Sequence, residues 1–214
     1  MAMKDLRIEM RGRHALTTVL PFAGTLLIAF GLSLGPGRTL LRQTAPGLLW
    51  LAILFASVLA FREAYRSEGE DGALEGLLLA PFDKAAVFLG KALAVVVQLL
   101  IVEAALLSAV AILFGLSLGD PAVLAAVLVL GTVGLAAVGS LFGVLAESTR
   151  SREAVFPLLV LPLATPVLVA GVNATALATA GRSGDAASWL GLLLAFDLVF
   201  LGLGTLVFGH LLED

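Results

Sequence analysis

The sequence predicts an all-α membrane protein with six transmembrane helices, an N-terminal amphipathic surface helix and a short cytoplasmic coupling helix. Of its 214 residues, 60% are hydrophobic and only 14% are charged, whereas soluble domains have about half apolar and about a quarter charged residues. Six apolar runs follow one another, and lysine and arginine are concentrated in alternate loops. With a mean hydropathy of +1.07, lipid must solvate much of the surface.

The apolar runs define a single transmembrane domain over residues 1–214. A transmembrane helix needs about 20 apolar residues, and the third run is longer than that, which favours a tilted helix or a first turn in the interface. The predicted spans cover residues 15–34, 46–61, 85–116, 121–146, 154–172 and 188–212.

Proline and glycine mark the boundaries of the later spans. Gly119-Asp120-Pro121 forms a tight turn, with Pro121 placed to start the fourth span. Three prolines inside the fifth run each remove a backbone donor, so we expect a kinked or partly unwound helix there. The small and polar residues 173–187 are expected to link the fifth span to the sixth.

Positive charge predicts the orientation, because short cytoplasmic loops are rich in lysine and arginine. Of the 13 basic residues, only Arg38, Arg42 and Arg182 fall on one side of a six-span topology. The sequence therefore predicts a multi-pass membrane protein with both termini in the cytoplasm. Four basic residues interleaved with apolar ones in residues 1–14 favour a helix on the lipid surface over a frayed basic tail.

The cytoplasmic segment between spans two and three, Glu68 to Pro81, has the pattern of a short amphipathic helix. Asp71 is a good N-cap, leucines follow at helical spacing, and Pro81 ends the helix. The predicted helix, residues 71–80, lies parallel to the membrane with acids at its start. Such a helix suits docking into a groove on a soluble partner. On these grounds alone, a linker that caps the bundle is an equally good interpretation.

Two acids, Glu103 and Asp197, fall inside the apolar runs. Each costs about 2.5–3.5 kcal/mol on insertion scales, so each should face the bundle or a wet cavity. A lining or gate position at a dimer interface and an interhelical hydrogen bond are both open, and the hydrogen bond is favoured. The pair Gly139 and Gly143 predicts close helix packing, either within the chain or across a homodimer.

Several chemistries have no support in the sequence. There is no cysteine, and the net charge of −3 offers no basic surface for nucleic acid. No phosphate-binding loop motif occurs, so any ATPase must be a separate chain. Haem ligation by His14 or His210 is disfavoured against an interfacial role, and two distant tryptophans cannot build a haem platform. We expect no catalytic, cofactor-binding or metal-binding residues in this chain.

The basic N-terminus, six spans and the acidic-Gly-x-Leu-Glu-x-Leu-Leu-x-x-Pro segment together resemble the permeases of type-2 ABC exporters. Two longer stretches are similar to the haem exporter protein B (CcmB) family of cytochrome c maturation. The first is APGLLWLAILFASVLAFREAYRSEGEDGALEGLLLAP, residues 45–81. The second is AVGSLFGVLAESTRSREAVFPLLVLPLATPVLVAG, residues 137–171, with a glycine-rich span, a basic loop and a proline-rich span.

The resemblance implies a permease subunit that couples ATP hydrolysis by a partner to haem export or to release of a haem-loaded periplasmic chaperone. The implied partners are an ABC ATPase subunit, a second copy of this chain and other maturation subunits; the complex, and not this chain, would handle haem and ATP. The implied ATPase-docking residues are Glu70, Asp71, Gly72, Leu74, Glu75, Leu77, Leu78 and Pro81.

The sequence departs from the family pattern in two places. Gly76 stands where the family usually has glutamine, and Ala73 or Ala80 where it has a small polar residue. The basic loop is also flanked by Glu147 and Glu153. These changes leave the fold expectation intact and bear on docking affinity. A type-2 ABC permease for a lipid or drug, or a membrane scaffold without a transport cycle, are the alternative functions.

Overall fold

A computed structural model describes residues 19–71, 84–147 and 152–211, and this part of the chain is helical without any strand. The helices and the single 3-10 turn are α1 (Val19–Leu34), α2 (Arg38–Asp71), α3 (Lys84–Phe114), α4 (Pro121–Glu147), α5 (Arg152–Thr179), the turn Ser183–Ala186 and α6 (Ala187–Leu211).

The structure confirms an all-helical protein with several membrane-length apolar helices. Within the described residues, five helices, α2 to α6, are long and apolar enough to cross a bilayer. The sixth apolar helix, α1, is shorter and begins at the first described residue. The predicted N-terminal surface helix, residues 1–14, lies outside the described residues.

Two helices extend beyond the predicted spans. Helix α2 runs from Arg38 to Asp71, well beyond the predicted 46–61 at both ends, and it continues through Pro46. Residues on either side of the apolar run are good helix formers, so a change from apolar to polar does not end the helix. Helix α5 stays helical through its three prolines to Thr179 and is not unwound. It thus occupies the first half of the predicted 173–187 link.

Helices α2 and α4 form the centre of the bundle. Of the membrane-spanning window, 67% is buried in α2 and 61% in α4, against 17% in α6. Helix α1 packs against the bundle through Val19, Ala23 and Leu27, spaced one turn apart. The bundle therefore has a two-helix core, with α6 as its most lipid-exposed long helix.

Large aromatic side chains of α2 fit against glycines on neighbouring helices. The indole of Trp50 occupies the space where Gly131 of α4 and Gly171 of α5 would carry a side chain. The ring of Phe61 fills the same space at Gly139. The small-residue face of α4 at these positions therefore packs within the chain, which settles for Gly139 the question that the sequence left open.

The loops 35–37, 115–120 and 180–186 form one end of the bundle, here called the short-loop end. The backbone amide of Asp120 donates to the Ala178 carbonyl at 3.1 Å, and the Ser117 hydroxyl donates to the Thr179 carbonyl at 2.9 Å. Gly119 has φ +51°, and a side chain there would collide with the Ala178 carbonyl oxygen. Glycine is therefore required where this loop meets the end of α5.

Asp120 caps α4, which begins at Pro121 as predicted. Its carboxylate accepts from the backbone amides of Ala122 at 3.1 Å and Val123 at 3.2 Å. A hydrogen bond from the Ser183 side chain is the largest cause that holds the pKa of this carboxyl below its usual value, followed by the amide of Val123. One exposed side chain thus ties α4 to the turn that precedes α6.

Candidate functional site

The predicted docking residues lie between α2 and α3. Asp71 is the last residue of α2, where the sequence predicted the start of a separate coupling helix, and Glu70 precedes it in the same helix. Gly69 lies inside α2 and does not end it before Asp71. The other predicted docking residues lie outside the described residues: Gly72, Leu74, Glu75, Leu77, Leu78 and Pro81.

Both acids of the apolar runs are buried. Glu103 of α3 and Asp197 of α6 are each 2% exposed. Each side chain is directed at α4, the central helix, and neither faces lipid. The sequence expectation that these acids turn into the bundle is therefore confirmed.

Glu103 takes part in an interhelical hydrogen bond. Its Oε1 atom lies 2.5 Å from the hydroxyl oxygen of Thr132 on α4, which donates to it. The same hydroxyl oxygen is 2.8 Å from the Leu128 carbonyl, and it has one proton for the two acceptors. The second carboxyl oxygen, Oε2, has no hydrogen-bond partner. This bond joins α3 to α4 at the level of the membrane.

Asp197 has no such partner. Both of its carboxyl oxygens are buried and without a hydrogen bond. Oδ1 is 2.8 Å from the position that a Cβ atom on Gly134 would take, and the Val167 side chain of α5 is 3.2 Å from that position. For Asp197 the favoured hydrogen-bond interpretation is therefore wrong. Its surroundings are a bare stretch of α4 backbone and apolar side chains.

The close approach at Asp197 does not depend on the glycines of its own helix, α6. Nothing lies within 4 Å of the Cβ positions of Gly191 and Gly202 on α6. Gly204 does accommodate a neighbour, the ring of Phe88 from α3. At Asp197 itself the required glycine is Gly134, on the opposite helix. Local sequence around an acid does not reveal which residue faces it.

Sequence reasoning also missed the polar contact between α2 and α5. The indole Nε1 of Trp50 donates to the Thr175 hydroxyl at 2.9 Å, and the contact is buried. The two residues are far apart in sequence, so only the packed structure pairs them. The available signal was a tryptophan inside an apolar run, because a buried indole N–H needs an acceptor.

No group of three or more His, Cys, Asp or Glu side chains close enough to hold a metal ion occurs within the described ranges. Glu103 and Asp197 are the charged residues that the described core contains. The described residues thus form a helical bundle in which two buried acids contact the central helix α4.

These features define a polytopic α-helical membrane protein. The comparison with protein families is more specific: the model of the CcmB protein family matches residues 1–214. The chain therefore belongs to the CcmB family.

Three relatives show the extent of the similarity, and each has the name Heme exporter protein B. The protein from Pseudomonas aeruginosa is 33% identical over 175 residues, covering 80% of this chain and 77% of its own length. That from Bradyrhizobium diazoefficiens is 30% identical over 206 residues, covering 94% and 90%. The Escherichia coli K12 protein is 38% identical over 90 residues, and this match spans only 42% of this chain and 41% of that relative.

Proposed function

We propose that this chain is the membrane permease subunit of an ATP-driven complex that acts in haem export for cytochrome c maturation. The family match over residues 1–214 carries this proposal, and the relatives' name, Heme exporter protein B, supplies the substrate class. The chain resides in the bacterial inner membrane and couples ATP hydrolysis to haem export or to release of a haem-loaded periplasmic chaperone.

ATP hydrolysis belongs to a separate ATPase subunit, since this chain has no phosphate-binding loop motif. That subunit docks on Glu70–Pro81, between the end of α2 and the start of α3. The segment supplies acids and regularly spaced leucines, which suit a groove on a soluble partner. Closure of the ATPase then moves α2 and α3, the two helices that flank the docking segment.

The orientation of the bundle follows from its charge. Arg38, Arg42 and Arg182 are at the short-loop end, which faces the periplasm. The other basic residues, with both termini, lie on the cytoplasmic side. The chain pairs with a second copy and with other maturation subunits, while haem and ATP are bound by other members of the complex.

Co-purification with the ATPase subunit from the same organism tests this function. The wild-type chain and the double variant Leu74→Asp plus Glu75→Arg are each co-expressed with the ATPase and extracted in detergent. A matched control, Arg182→Glu plus Asp185→Arg, exchanges the two charges of the exposed Arg182–Asp185 ion pair at the opposite end, where Nη2 and Oδ2 are 2.7 Å apart. ATP hydrolysis and covalent haem in c-type cytochromes are measured for all three.

The wild type and the control are expected to retain an active ATPase and to restore cytochrome c maturation in a strain that lacks the chain. The double variant loses both while keeping its elution profile. If the wild type binds no ATPase, the permease assignment fails and a membrane scaffold takes its place. If the wild type binds the ATPase but cytochromes c also mature in the strain that lacks this chain, the transported substrate is a different one, such as a lipid or drug.

A further inference from the structure

A smaller share of helix α6 is buried than of the other long helices. Only 17% of its membrane-spanning window is buried, against 67% in α2 and 61% in α4. Large apolar side chains such as Leu198 and Leu206 point to lipid, with exposed fractions of 66% and 65%. Its attachment to the bundle is therefore confined to its inner face, which packs on α4 and, less extensively, on α5 and α3.

Asp197 lies at the centre of that inner face. Leu193, fully buried, precedes it by one turn, and Gly204, which packs on Phe88, follows. Between them the carboxyl of Asp197 is buried against Gly134 and makes no hydrogen bond. A buried polar group without a partner destabilises the packed state, and it regains its hydrogen bonds in water.

The polar contacts at the other helix seams differ. The buried indole of Trp50 donates to Thr175, which joins α2 to α5. The hydroxyl of Thr132 donates to Glu103, which joins α4 to α3. Opening either seam breaks a hydrogen bond, whereas opening the seam between α4 and α6 breaks none at Asp197 and lets water reach it.

We propose that α6 separates from α4 at the Gly134–Asp197 contact while the rest of the bundle stays packed, and that water hydrates Asp197 in the separated form. Gly134 presents no side chain to α6, and the carboxyl of Asp197 lies directly against the α4 backbone there. The contact between α4 and α6 is thus the surface along which the bundle opens. This device is a property of the fold and does not depend on the proposed function.

Water access to buried cysteines measures this opening, since the chain has no native cysteine. Leu193→Cys is placed in the α6 face, and Ala45→Cys in α2 is its control. Both positions are fully buried, and each is about 10 Å along its helix from the short-loop end at 1.5 Å per residue. The full chain is reconstituted in lipid nanodiscs, and the rate of labelling by N-ethylmaleimide is measured.

We expect Leu193→Cys to react at least ten times faster than Ala45→Cys. Adding Asp197→Ala, which removes the carboxyl, should slow the reaction toward the control rate. Asp197→Asn keeps a polar group of the same shape and should leave it fast. Equal rates at the two cysteines, or a rate that Asp197→Ala does not change, would overturn the proposal.

A second pair of variants covers the case in which Leu193→Cys does not fold. Val167→Cys is a near-isosteric change beside Gly134 and Asp197, and Ala52→Cys is a fully buried position in α2. The seam opening exposes Val167→Cys and not Ala52→Cys, so the first should again react faster and respond to Asp197→Ala. If Ala52→Cys reacts as fast, the whole bundle loosens and the seam has no special role.

Discussion

At the scale of single residues, small side chains of α4 accommodate large or acidic side chains from the neighbouring helices. Gly131 and Gly139 admit the aromatic rings of Trp50 and Phe61, and Gly134 admits the carboxyl of Asp197. Thr132, between the first two contacts, supplies the hydroxyl for Glu103. Small residues allow close helix approach in membranes, where interhelical hydrogen bonds add modest stability. One stretch of a single helix therefore receives both buried acids.

The bond between Thr132 and Glu103 is testable. Thr132→Val keeps the shape of the side chain and removes the hydroxyl, which leaves the whole Glu103 carboxyl without a partner. We expect a loss of about 1–2 kcal/mol in the free energy of unfolding, measured as a lower melting temperature in detergent.

Two controls separate the bond from packing. Thr132→Ser keeps the hydroxyl and should lie closer to the wild type. Thr132→Val combined with Glu103→Leu removes both partners, and the pair should cost less than the two single changes added together. Strict additivity would show that the hydroxyl and the carboxyl do not interact in the membrane.

At the scale of helices, the ends of helices were predictable where turn-forming residues mark them. They were not predictable where the only signal was a change from apolar to polar residues. The start of α4 at Pro121 was predicted correctly because Gly119 and Asp120 make the preceding turn. The end of α5 was missed because its last turns contain Asn173, Thr175 and other polar residues.

In α5 these polar groups find partners within the helix or the bundle. Asn173 donates from Nδ2 to the Val169 carbonyl at 2.7 Å, and Thr175 accepts from Trp50. A satisfied polar side chain does not end a transmembrane helix. The burial of Glu103 and Asp197 was predictable from the cost of an acid in lipid, but their neighbours depend on helix register, which a single sequence does not encode locally.

The cap of α4 gives a prediction at this scale. Asp120→Ala removes the acceptor for two backbone amides and the contact with Ser183, so the melting temperature should fall by a few degrees. Asp120→Asn keeps an acceptor and should lose less. The pKa of this carboxyl is lowered in the folded protein, so its charge stabilises the fold above the unfolded-state pKa, and this contribution is lost as the pH falls through the folded-state pKa.

A melting series from neutral to acidic pH checks that sign. The gap between wild type and Asp120→Asn should be constant near neutral pH and narrow on acidification. A gap that widens toward acidic pH would contradict the assigned role of the carboxylate.

At the scale of the whole molecule, the two ends of the bundle differ in length of connection and in charge. At the short-loop end the segments 115–120 and 180–186 are bonded to each other or to helix ends. At the far end α2 and α3 are separated by residues 72–83, which include all of the proposed docking segment except Glu70 and Asp71.

This arrangement predicts opposite accessibility of the two ends in intact cells. Gly184→Cys lies at the exposed short-loop end, and Ser148→Cys follows the end of α4 at the far side. A membrane-impermeant maleimide added to cells with a permeabilised outer membrane should label Gly184→Cys and leave Ser148→Cys unlabelled until the inner membrane is lysed. The positive-inside distribution of 13 basic residues, three of them at the short-loop end, is the physical reason.

The reverse pattern would invert the bundle and place Glu70–Pro81 in the periplasm, where no ATP is available to a docked ATPase. Labelling of both positions in intact cells would show that the spans between them do not cross the bilayer in the proposed register.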